Sequence, residues 1–427
     1  MLSPGQRVEL AIEKPAAGGR MIARHEGQIV FVLGAIPGER VVARIDRVER
    51  QLAFGATVDV VEPSPDRREP LVDPLCGGCL YSHVTYPGQL RIKADVIHDA
   101  FSRLGRIVGA RVDVAPSPER GYRMRGRLHV HGSQAGFYRE GTHTVCDAAA
   151  TGQLSLEAVE SGVAAVQTLQ AAGAAVLSVQ ISENLTGDQR ALHLELQPGS
   201  QLSETLLAEV VRAHSLVGCS ARSGTNTLEA GDPSIADPLK SLTSGRAADG
   251  TLARRAESFF QANRYLLPQL VVAVLDSIPG EGGVLDLYAG VGLFSVALAL
   301  SGRTGITAVE GDRSSGMDLR RNAAQIPAAI RVVLGSVEAY LSGPDRKEAA
   351  TVIVDPPRTG ISKAAMQKVA SLGARRVVYV SCDPPTMARD ARRLLDAGYE
   401  LDSLTAFDLF PNTPHVESLG VFTQART

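Results

Sequence analysis

The sequence predicts an α/β protein in which a small β-barrel and a mixed α+β region precede an open, mostly parallel sheet. Short β-type runs separated by glycine and proline turns fill the first part of the chain. A proline-rich segment follows, and from Glu257 onward short apolar runs alternate with helical patterns. We therefore expect three domains, at residues 1–63, 75–253 and 254–427.

Composition narrows the class of protein before any motif is considered. The 427 residues include 44 basic and 46 acidic side chains, for a net charge of −2, and 44% are apolar. This apolar fraction excludes a disordered chain, and the even spread of charges excludes a long membrane span. Met1 to Leu10 lack a secretory signal pattern, so we expect a cytoplasmic protein. Any attraction for nucleic acid has to come from a local basic patch.

The barrel prediction depends on four β-type runs and the turns between them. Gly18-Gly19 and Pro37-Gly38 divide the runs, and this spacing is typical of a small closed barrel. Residues 62–74 contain four prolines and are predicted to be a linker. The predicted strands are Arg7–Ile12, Gln28–Val32, Arg40–Val48 and Ala53–Val61.

The middle region holds the densest basic stretch of the chain, Arg120–Arg127. On a strand, alternate arginines share one face and could meet phosphates, while Tyr122 could stack on a splayed base. A solvated strand face is the alternative. The arginines are Arg123, Arg125 and Arg127, and the predicted strands of this region are Arg125–Val130, Val176–Ser182 and Ala191–Leu196.

The third region alternates short apolar strands with helices, which indicates parallel βαβ units. Strands are predicted at Val284–Leu287, Gly305–Val309, Ile330–Val333, Thr351–Val354 and Arg376–Val380. Helices are predicted at Ala262–Ser277, Leu293–Ser301, Arg313–Ala324, Lys363–Ser371 and Thr386–Ala397.

A buried strand leads into a glycine loop at Val284–Phe294, where a ligand could approach backbone N–H groups closely. A dinucleotide fingerprint would place glycine at Ser295, so NAD binding is disfavoured. Glu310 ends the next strand, where an acid can accept hydrogen bonds from ribose hydroxyls. Asp286 and Glu310 together resemble the S-adenosylmethionine site of Rossmann-like methyltransferases. The alternative for Asp286 is a helix or loop cap.

Two further motifs follow the later strands. Asp355-Pro-Pro-Arg358 has arginine where amino-methyltransferases carry an aromatic residue, and it lacks the cysteine usual in cytosine methyltransferases of RNA. Cys382 ends the next strand as either a packing residue or a nucleophile. The proline-bounded loop that carries His415 and Glu417 could supply a base.

Four sequence strings together resemble the family of RNA (uracil-5-)-methyltransferases that act on 23S ribosomal RNA and transfer RNA. They are Phe259–Asn263, Asp355–Arg358, Tyr379–Asp390 and Asp408–Glu417. The resemblance covers nearly the whole chain, because the amino-terminal barrel is similar to the OB-like TRAM domain of that family. It implies a Rossmann-like methyltransferase domain that uses S-adenosylmethionine.

Carried over residue by residue, the resemblance implies that Cys382 is the nucleophile and Glu417 the proton-abstracting base. It also implies four cofactor-contacting residues, Gln261, Tyr288, Glu310 and Asp355. The implied reaction adds a methyl group to carbon 5 of uridine in structured RNA, with 23S ribosomal RNA favoured because transfer-RNA members usually lack the barrel. The alternatives are a transfer-RNA enzyme and a catalytically silent RNA-binding factor. No membrane and no obligate protein partner are implied.

The five cysteines are an odd number, which argues against a disulfide framework. Cys76-Gly-Gly-Cys79 resembles half of the four-cysteine iron–sulfur motif of many family members. Pro70 and Thr151 occupy the places of the other two ligands, and Cys146 lies in a different register, so we expect no intact cluster and no metal. The alternatives are a pair of partly buried thiols and a zinc site completed by histidine, namely His83 or His143.

Overall fold

The computed structural model describes residues 2–110, 112–344 and 346–425. The outer ends of the first and third predicted domains, residue 1 and residues 426–427, lie outside the described residues. Within the described ranges, no helix is both long enough and apolar enough to cross a membrane.

The amino-terminal strands close into a barrel in the order β1-β2-β3-β5-β4. Alternate side chains along β1 are buried, which is the pattern of a strand with one face on a core. The predicted barrel is therefore confirmed. The short strand β2, whose second half carries Arg24 and His25, was not predicted. The strands are β1 (Arg7–Pro15), β2 (Met21–His25), β3 (Gln28–Leu33), β4 (Arg40–Glu49) and β5 (Leu52–Glu62).

An irregular segment, residues 63–85, connects the barrel to the first helix, α1 (Tyr86–Arg103). Thr85 caps this helix through its hydroxyl, which accepts from the Gly88 N–H. The short strand β6 (Val114–Ala115) then joins the edge of the carboxyl-terminal sheet. Helix α1 and strand β6 fall within the predicted middle domain, residues 75–253. They pack instead on the carboxyl-terminal sheet and its helices.

The middle region forms a seven-stranded sheet in the order β13-β12-β11-β10-β7-β8-β9. Apolar side chains on one face of this sheet pack with those of two helices, α3 and α4. The elements are β7 (Arg125–His131), β8 (Gln134–Tyr138), β9 (Val145–Cys146), α2 (Ala148–Thr151), α3 (Leu156–Ala171), β10 (Val176–Glu183), β11 (Arg190–Leu196), α4 (Glu204–Ala213), β12 (Gly218–Ser223) and β13 (Asn226–Gly231).

A two-stranded sheet with a short helix connects the middle sheet to the last layers. Its elements are β14 (Ser234–Pro238), α5 (Leu239–Leu242) and β15 (Thr251–Arg255). The next helix, α6 (Leu267–Asp276), begins five residues later than the sequence pattern predicted. The side-chain oxygen of Asn263 accepts from the N–H groups of Tyr265 and Leu266 and so holds the turn before the helix, and Pro268 occupies the first turn of the helix itself.

The carboxyl-terminal sheet has the order β18-β17-β16-β19-β20-β22-β21-β6. Strands β18, β17, β16, β19 and β20 are parallel, as predicted. The elements are β16 (Val284–Leu287), α7 (Leu293–Leu300), β17 (Ile306–Glu310), α8 (Arg313–Ala323), β18 (Ile330–Leu334), α9 (Val337–Ser342), β19 (Thr351–Val354), α10 (Lys363–Ala370), β20 (Arg376–Ser381), α11 (Pro384–Asp396), β21 (Tyr399–Phe407) and β22 (Glu417–Gln424).

Strands β21 and β22 were not predicted, and they extend the sheet in antiparallel fashion beyond β20. Two large apolar cores are built around the sheet and its helices. The carboxyl ends of the parallel strands lie along one edge, which is where open α/β sheets bind their ligands. The antiparallel strand β22 begins at this same edge with Glu417.

Candidate active site

Asp286 lies inside β16 and is fully buried. One of its carboxylate oxygens accepts a hydrogen bond from the Ser295 hydroxyl in the first turn of α7. The other oxygen, Oδ1, is buried without a hydrogen-bond partner among the described residues. Burial, with the nearby negative charge of Glu310, raises the pKa of Asp286 to about 7.

The glycine loop after β16 brings the backbone N–H of Gly290 close to the Glu310 carboxylate at the end of β17. Tyr288 has a positive φ of 63°, which is a rare conformation for a residue with a side chain. At the end of β17, the Glu310 carboxylate accepts from the N–H of Gly290 at 2.7 Å and from the N–H of Asp312 at 2.6 Å. A Cβ placed on Gly290 would have nothing within 4 Å, so the loop backbone is open on that side.

Asp355 follows β19 and faces the same edge of the sheet. The side chain of Gln261, itself buried, is close enough to this carboxylate to favour its ionised form and so to oppose the rise in its pKa. Burial and the neighbouring carboxyl groups of Asp286 and Glu310 raise the pKa of Asp355. Three acids from three adjacent strands are thus close enough to influence one another.

These residues fit a nucleoside cofactor. The unpartnered oxygen of Asp286 is a buried hydrogen-bond acceptor. An uncharged or cationic ligand group that donates a hydrogen bond could pair with it. Glu310 stands beside an open glycine loop, where its carboxylate could accept from ribose hydroxyls. Gln261 and Tyr288 border the same region, Gln261 through Asp355 and Tyr288 at the end of β16.

Cys382 and Glu417 come together at the ends of β20 and β22. The strands pair Ser381 with Ser418, and Cys382 and Glu417 are the next residues along each strand. Cys382 is half-buried, whereas Glu417 is 2% exposed. Burial, followed by the charge of Glu417, raises the pKa of the Cys382 thiol to about 12. Burial and Asp355 raise the pKa of Glu417 well above its ordinary value.

Arg358 is the basic group beside this pair. Its positive charge opposes the rise in pKa of both Cys382 and Glu417. Its guanidinium lies 3.4 Å from Nε2 of His415. Burial, together with Arg358 and two further cations, lowers the pKa of His415 to about 4, so the imidazole is neutral near pH 7. From the sequence, Arg358 served only as an argument against an amino-methyltransferase. Its contact with His415 was not predicted.

The basic stretch of the middle region reaches the same site. Arg123, Arg125 and Arg127 alternate with buried residues and share one face, as predicted. Arg123 lies over the Phe410 ring at 5.8 Å, and Arg125 lies over the ring of Phe259, which is 64% exposed. An arginine-lined surface therefore adjoins the strand ends.

The expectation that Tyr122 stacks on a base is wrong. Its side chain is fully buried, and its hydroxyl donates to Gln153 at 3.3 Å and lies 3.4 Å from the carbonyl oxygen of Pro411. The even-numbered positions of this stretch face the core, whereas the odd-numbered arginines lie on the other face, where Arg123 and Arg125 are half-buried and Arg127 is exposed. On the same strand, two residues after Arg127, His129 stacks on Tyr138 of β8 with ring centroids 3.7 Å apart. An aromatic pair therefore follows the arginines along β7.

The expectation of separate thiols is also wrong for two of the five cysteines. Cys76 and Cys146 form a disulfide across 70 residues, because β9 and the loop around Cys76 both pair with the strand end at Tyr138–Arg139. Cys79 is a buried free thiol that accepts from the side chain of Gln153. Among the described residues, no group of three or more His, Cys, Asp or Glu side chains is placed to hold a metal ion.

Several known proteins are similar to this chain over most of its length. Residues 344–426 match the family model described as tRNA (Uracil-5-)-methyltransferase, and residues 2–58 match that of the TRAM domain. The chain is 32% identical to the 23S rRNA (uracil(1939)-C(5))-methyltransferase RlmD of Pseudomonas fluorescens, over 98% of this chain and 92% of that protein. It is also 32% identical to a Streptomyces coelicolor protein named as an uncharacterized RNA methyltransferase, over 99% of this chain and 93% of that protein.

A solved structure has the same fold over nearly the whole chain. The tRNA (uracil-54, C5)-methyltransferase of Pyrococcus abyssi, in complex with S-adenosyl-L-homocysteine, superposes with a TM-score of 0.73. The match covers 97% of this chain and 100% of that chain at 24% identity. The barrel, the middle sheet and the carboxyl-terminal sheet thus occur together in that enzyme as well.

Proposed function

This chain belongs to the S-adenosylmethionine-dependent RNA (uracil-5-)-methyltransferases, and from that premise we propose that its substrate is 23S ribosomal RNA and that Cys382 and Glu417 carry out the reaction. The observation that carries the catalytic assignment is the placement of a thiol and a carboxyl group side by side at the ligand-binding edge of the sheet. Carbon-5 methylation of uracil needs one nucleophile and one base.

The cofactor assignment rests on the buried acids of the parallel strands. Bound S-adenosylmethionine supplies an electrophilic methyl group. Glu310 would hold the ribose hydroxyls, and Gln261, Tyr288 and Asp355 would line the rest of the site. Asp286, which the sequence pairs with Glu310, has one carboxylate oxygen without a partner among the described residues and would line the site as well.

Cys382 begins the reaction by losing its proton to solvent, a step that the Arg358 guanidinium favours. The thiolate then adds to carbon 6 of uracil, and the electron pair of the carbon 5–carbon 6 double bond moves toward the carbonyl oxygen on carbon 4. Carbon 5 becomes nucleophilic in this adduct and can take up the methyl group. Cysteine suits this role because its sulfur is a soft nucleophile.

Glu417 completes the cycle. Once methylated, carbon 5 still carries its proton, and the ionised Glu417 removes it. The electron pair of that bond restores the double bond, and the carbon–sulfur bond breaks to release the Cys382 thiolate. Burial makes the ionised Glu417 a stronger base, since its pKa is raised, while Arg358 favours the ionised form.

The preference for 23S ribosomal RNA rests on the 32% identity to RlmD of Pseudomonas fluorescens. The presence of the barrel, which was the reason given from the sequence, does not decide between substrates, because the tRNA enzyme of Pyrococcus abyssi matches 97% of this chain. Transfer RNA is therefore the second candidate.

The test maps 5-methyluridine in ribosomal and transfer RNA from cells with and without this gene. We expect one or more uridines of 23S RNA to lose the methyl group when the gene is deleted. Re-expression of the wild-type chain should restore it, and re-expression of Cys382→Ala should not. A loss confined to transfer RNA would overturn the ribosomal assignment, and no loss in any RNA would favour a catalytically silent RNA-binding factor.

A further inference from the structure

The loop that leads to Glu417 is fixed by residues more than 300 positions away in the chain. This loop, residues 408–416, has no strand or helix of its own and joins β21 to β22. Gln89 and Lys93 lie one turn apart on α1, are 0% and 1% exposed, and both contact the loop.

Gln89 holds Asn412 through a reciprocal pair of hydrogen bonds. The side-chain oxygen Oε1 of Gln89 accepts from the backbone N–H of Asn412 at 2.8 Å, and its side-chain nitrogen Nε2 donates to Oδ1 of Asn412 at 2.9 Å. Asn412 has a φ of +64°, a left-handed conformation that asparagine tolerates better than most residues. Arg68 also donates to its Oδ1 at 2.9 Å.

Lys93 holds the beginning of the loop. Its ammonium group donates to Oδ1 of Asp408 at 2.5 Å and to the carbonyl oxygen of Phe410 at 3.1 Å. Lys93 and Asp408 are both almost completely buried, so neither charge is screened by solvent. The two residues of α1 therefore hold the loop at three residues, five, seven and nine positions before Glu417.

We propose that Gln89 and Lys93 are positioning residues that set the place of Glu417 relative to Cys382. The proposal rests on the proposed function, in which Glu417 removes the proton from carbon 5. A displacement of about 1 Å at a reacting group lowers a rate by about 100-fold. Cys382 reaches the site on β20 and α11, which α1 does not fix through these hydrogen bonds. Loosening the loop should therefore slow release of the product more than attack by the thiol.

The test is Gln89→Ala, which removes both hydrogen bonds to Asn412. The enzyme is mixed with substrate RNA and S-adenosylmethionine, quenched in denaturant at a series of times, and separated into free RNA, methylated free RNA and covalent enzyme–RNA complex. We expect the ratio of covalent complex to released methylated RNA to rise about tenfold or more over wild type. A residue that only stabilised the fold would lower the amount of active enzyme and leave this ratio unchanged.

A second variant keeps the test decisive if Gln89→Ala folds poorly. Asn412→Gly removes the side-chain acceptor but keeps the left-handed backbone and the N–H that Gln89 holds, so it should raise the ratio in the same direction by a smaller factor. The matched control is Gln170→Ala on α3, whose amide donates to the carbonyl oxygen of Gly132, remote from the loop. Its ratio should equal that of wild type.

An unchanged ratio in the folded variants would overturn the positioning role. Failure of the proposed function has a different signature. In that case neither wild type nor Glu417→Gln would form any covalent complex with RNA, whatever the state of the loop.

Discussion

Glu417 is the neighbour of Cys382 across two antiparallel strands. Ser381 pairs with Ser418, and the two groups lie one residue further along β20 and β22. After burial, the carboxyl charge is the next largest cause that raises the pKa of the thiol. The proposed nucleophile follows a parallel strand, and the proposed base begins the antiparallel strand beside it.

This arrangement predicts that two variants fail in different ways. Cys382→Ala removes the thiol, so both methylation and covalent attachment to RNA should vanish. Glu417→Gln leaves the thiol able to attack and carbon 5 able to be methylated, but it removes the base. On a denaturing gel, Glu417→Gln should therefore give a slow protein–RNA band, and Cys382→Ala should give none.

The control for these variants is Cys219→Ala, which removes a buried thiol from β12 of the middle sheet. It should methylate RNA as wild type does. Methylation of uridine by Cys382→Ala would reject the mechanism, because every other cysteine precedes the glycine loop of the carboxyl-terminal sheet.

The inner parallel strands β16, β17, β19 and β20 could be predicted because they are buried on both faces and therefore appear as continuous apolar runs. Val284–Leu287 and Thr351–Val354 have the same bounds in the sequence pattern and in the structure. Strand β21 was missed because most of its side chains are exposed or half-buried, which gives a weak pattern.

The candidate site residues could be proposed from the sequence because their chemistry depends on residue type, whereas the long-range contacts around them could not be proposed. A strand-terminal cysteine and a glutamate in a proline-bounded loop can be recognised locally. The contacts of Gln89 and Lys93 with the loop cannot, because they join residues more than 300 positions apart. The Cys76–Cys146 bond was missed for the same reason: the pairing of β8 with β9 brings Cys146 near Cys76.

Glu310→Ala should weaken binding of S-adenosylmethionine at least about tenfold, because charge-assisted hydrogen bonds contribute about 1.5–3 kcal/mol. The change also frees the N–H groups of Gly290 and Asp312, so the loop loses support along with the ligand. Isothermal titration calorimetry measures the affinity directly. Glu400→Ala, at an exposed position of β21, serves as the control and should bind as wild type does. Equal affinities for all three proteins would reject the assignment of Glu310.

The cysteine arrangement predicts that protein purified without oxygen is colourless. Pro70 and Thr151 lack sulfur ligands, and Cys76 is bonded to Cys146. Mass spectrometry of a digest made without reductant should show a peptide that joins these two residues, present in Cys79→Ser and absent in Cys146→Ser. Stoichiometric iron and sulfide with visible absorption would contradict this reading and identify Cys146 as a cluster ligand.

Asp286 predicts a pH dependence of stability in the absence of cofactor. Its pKa is raised to about 7 in the folded protein, mainly by burial, against an ordinary value of 3.8. The folded state therefore holds a proton that the unfolded state has released at pH values between these two. Stability from this group is fully present below about pH 4 and is lost as the pH rises through about 7.

The measurement compares wild type with Asp286→Asn by urea unfolding. Between about pH 5.5 and pH 8, the free energy of unfolding of wild type should fall by about 2 kcal/mol relative to the variant, since each pH unit below the folded-state pKa contributes about 1.4 kcal/mol. The asparagine side chain does not titrate and can still accept from the Ser295 hydroxyl. Other buried acids, such as Asp355 and Glu417, titrate in both proteins. Because the Asp286 charge also raises the pKa of Asp355, the difference between the two curves reports Asp286 together with its interaction with Asp355. If the free energies of unfolding of the two proteins change in parallel across this range, Asp286 is already ionised in the folded protein at pH 5.5. Its Oδ1 would then be a charged acceptor without a hydrogen-bond donor among the described residues.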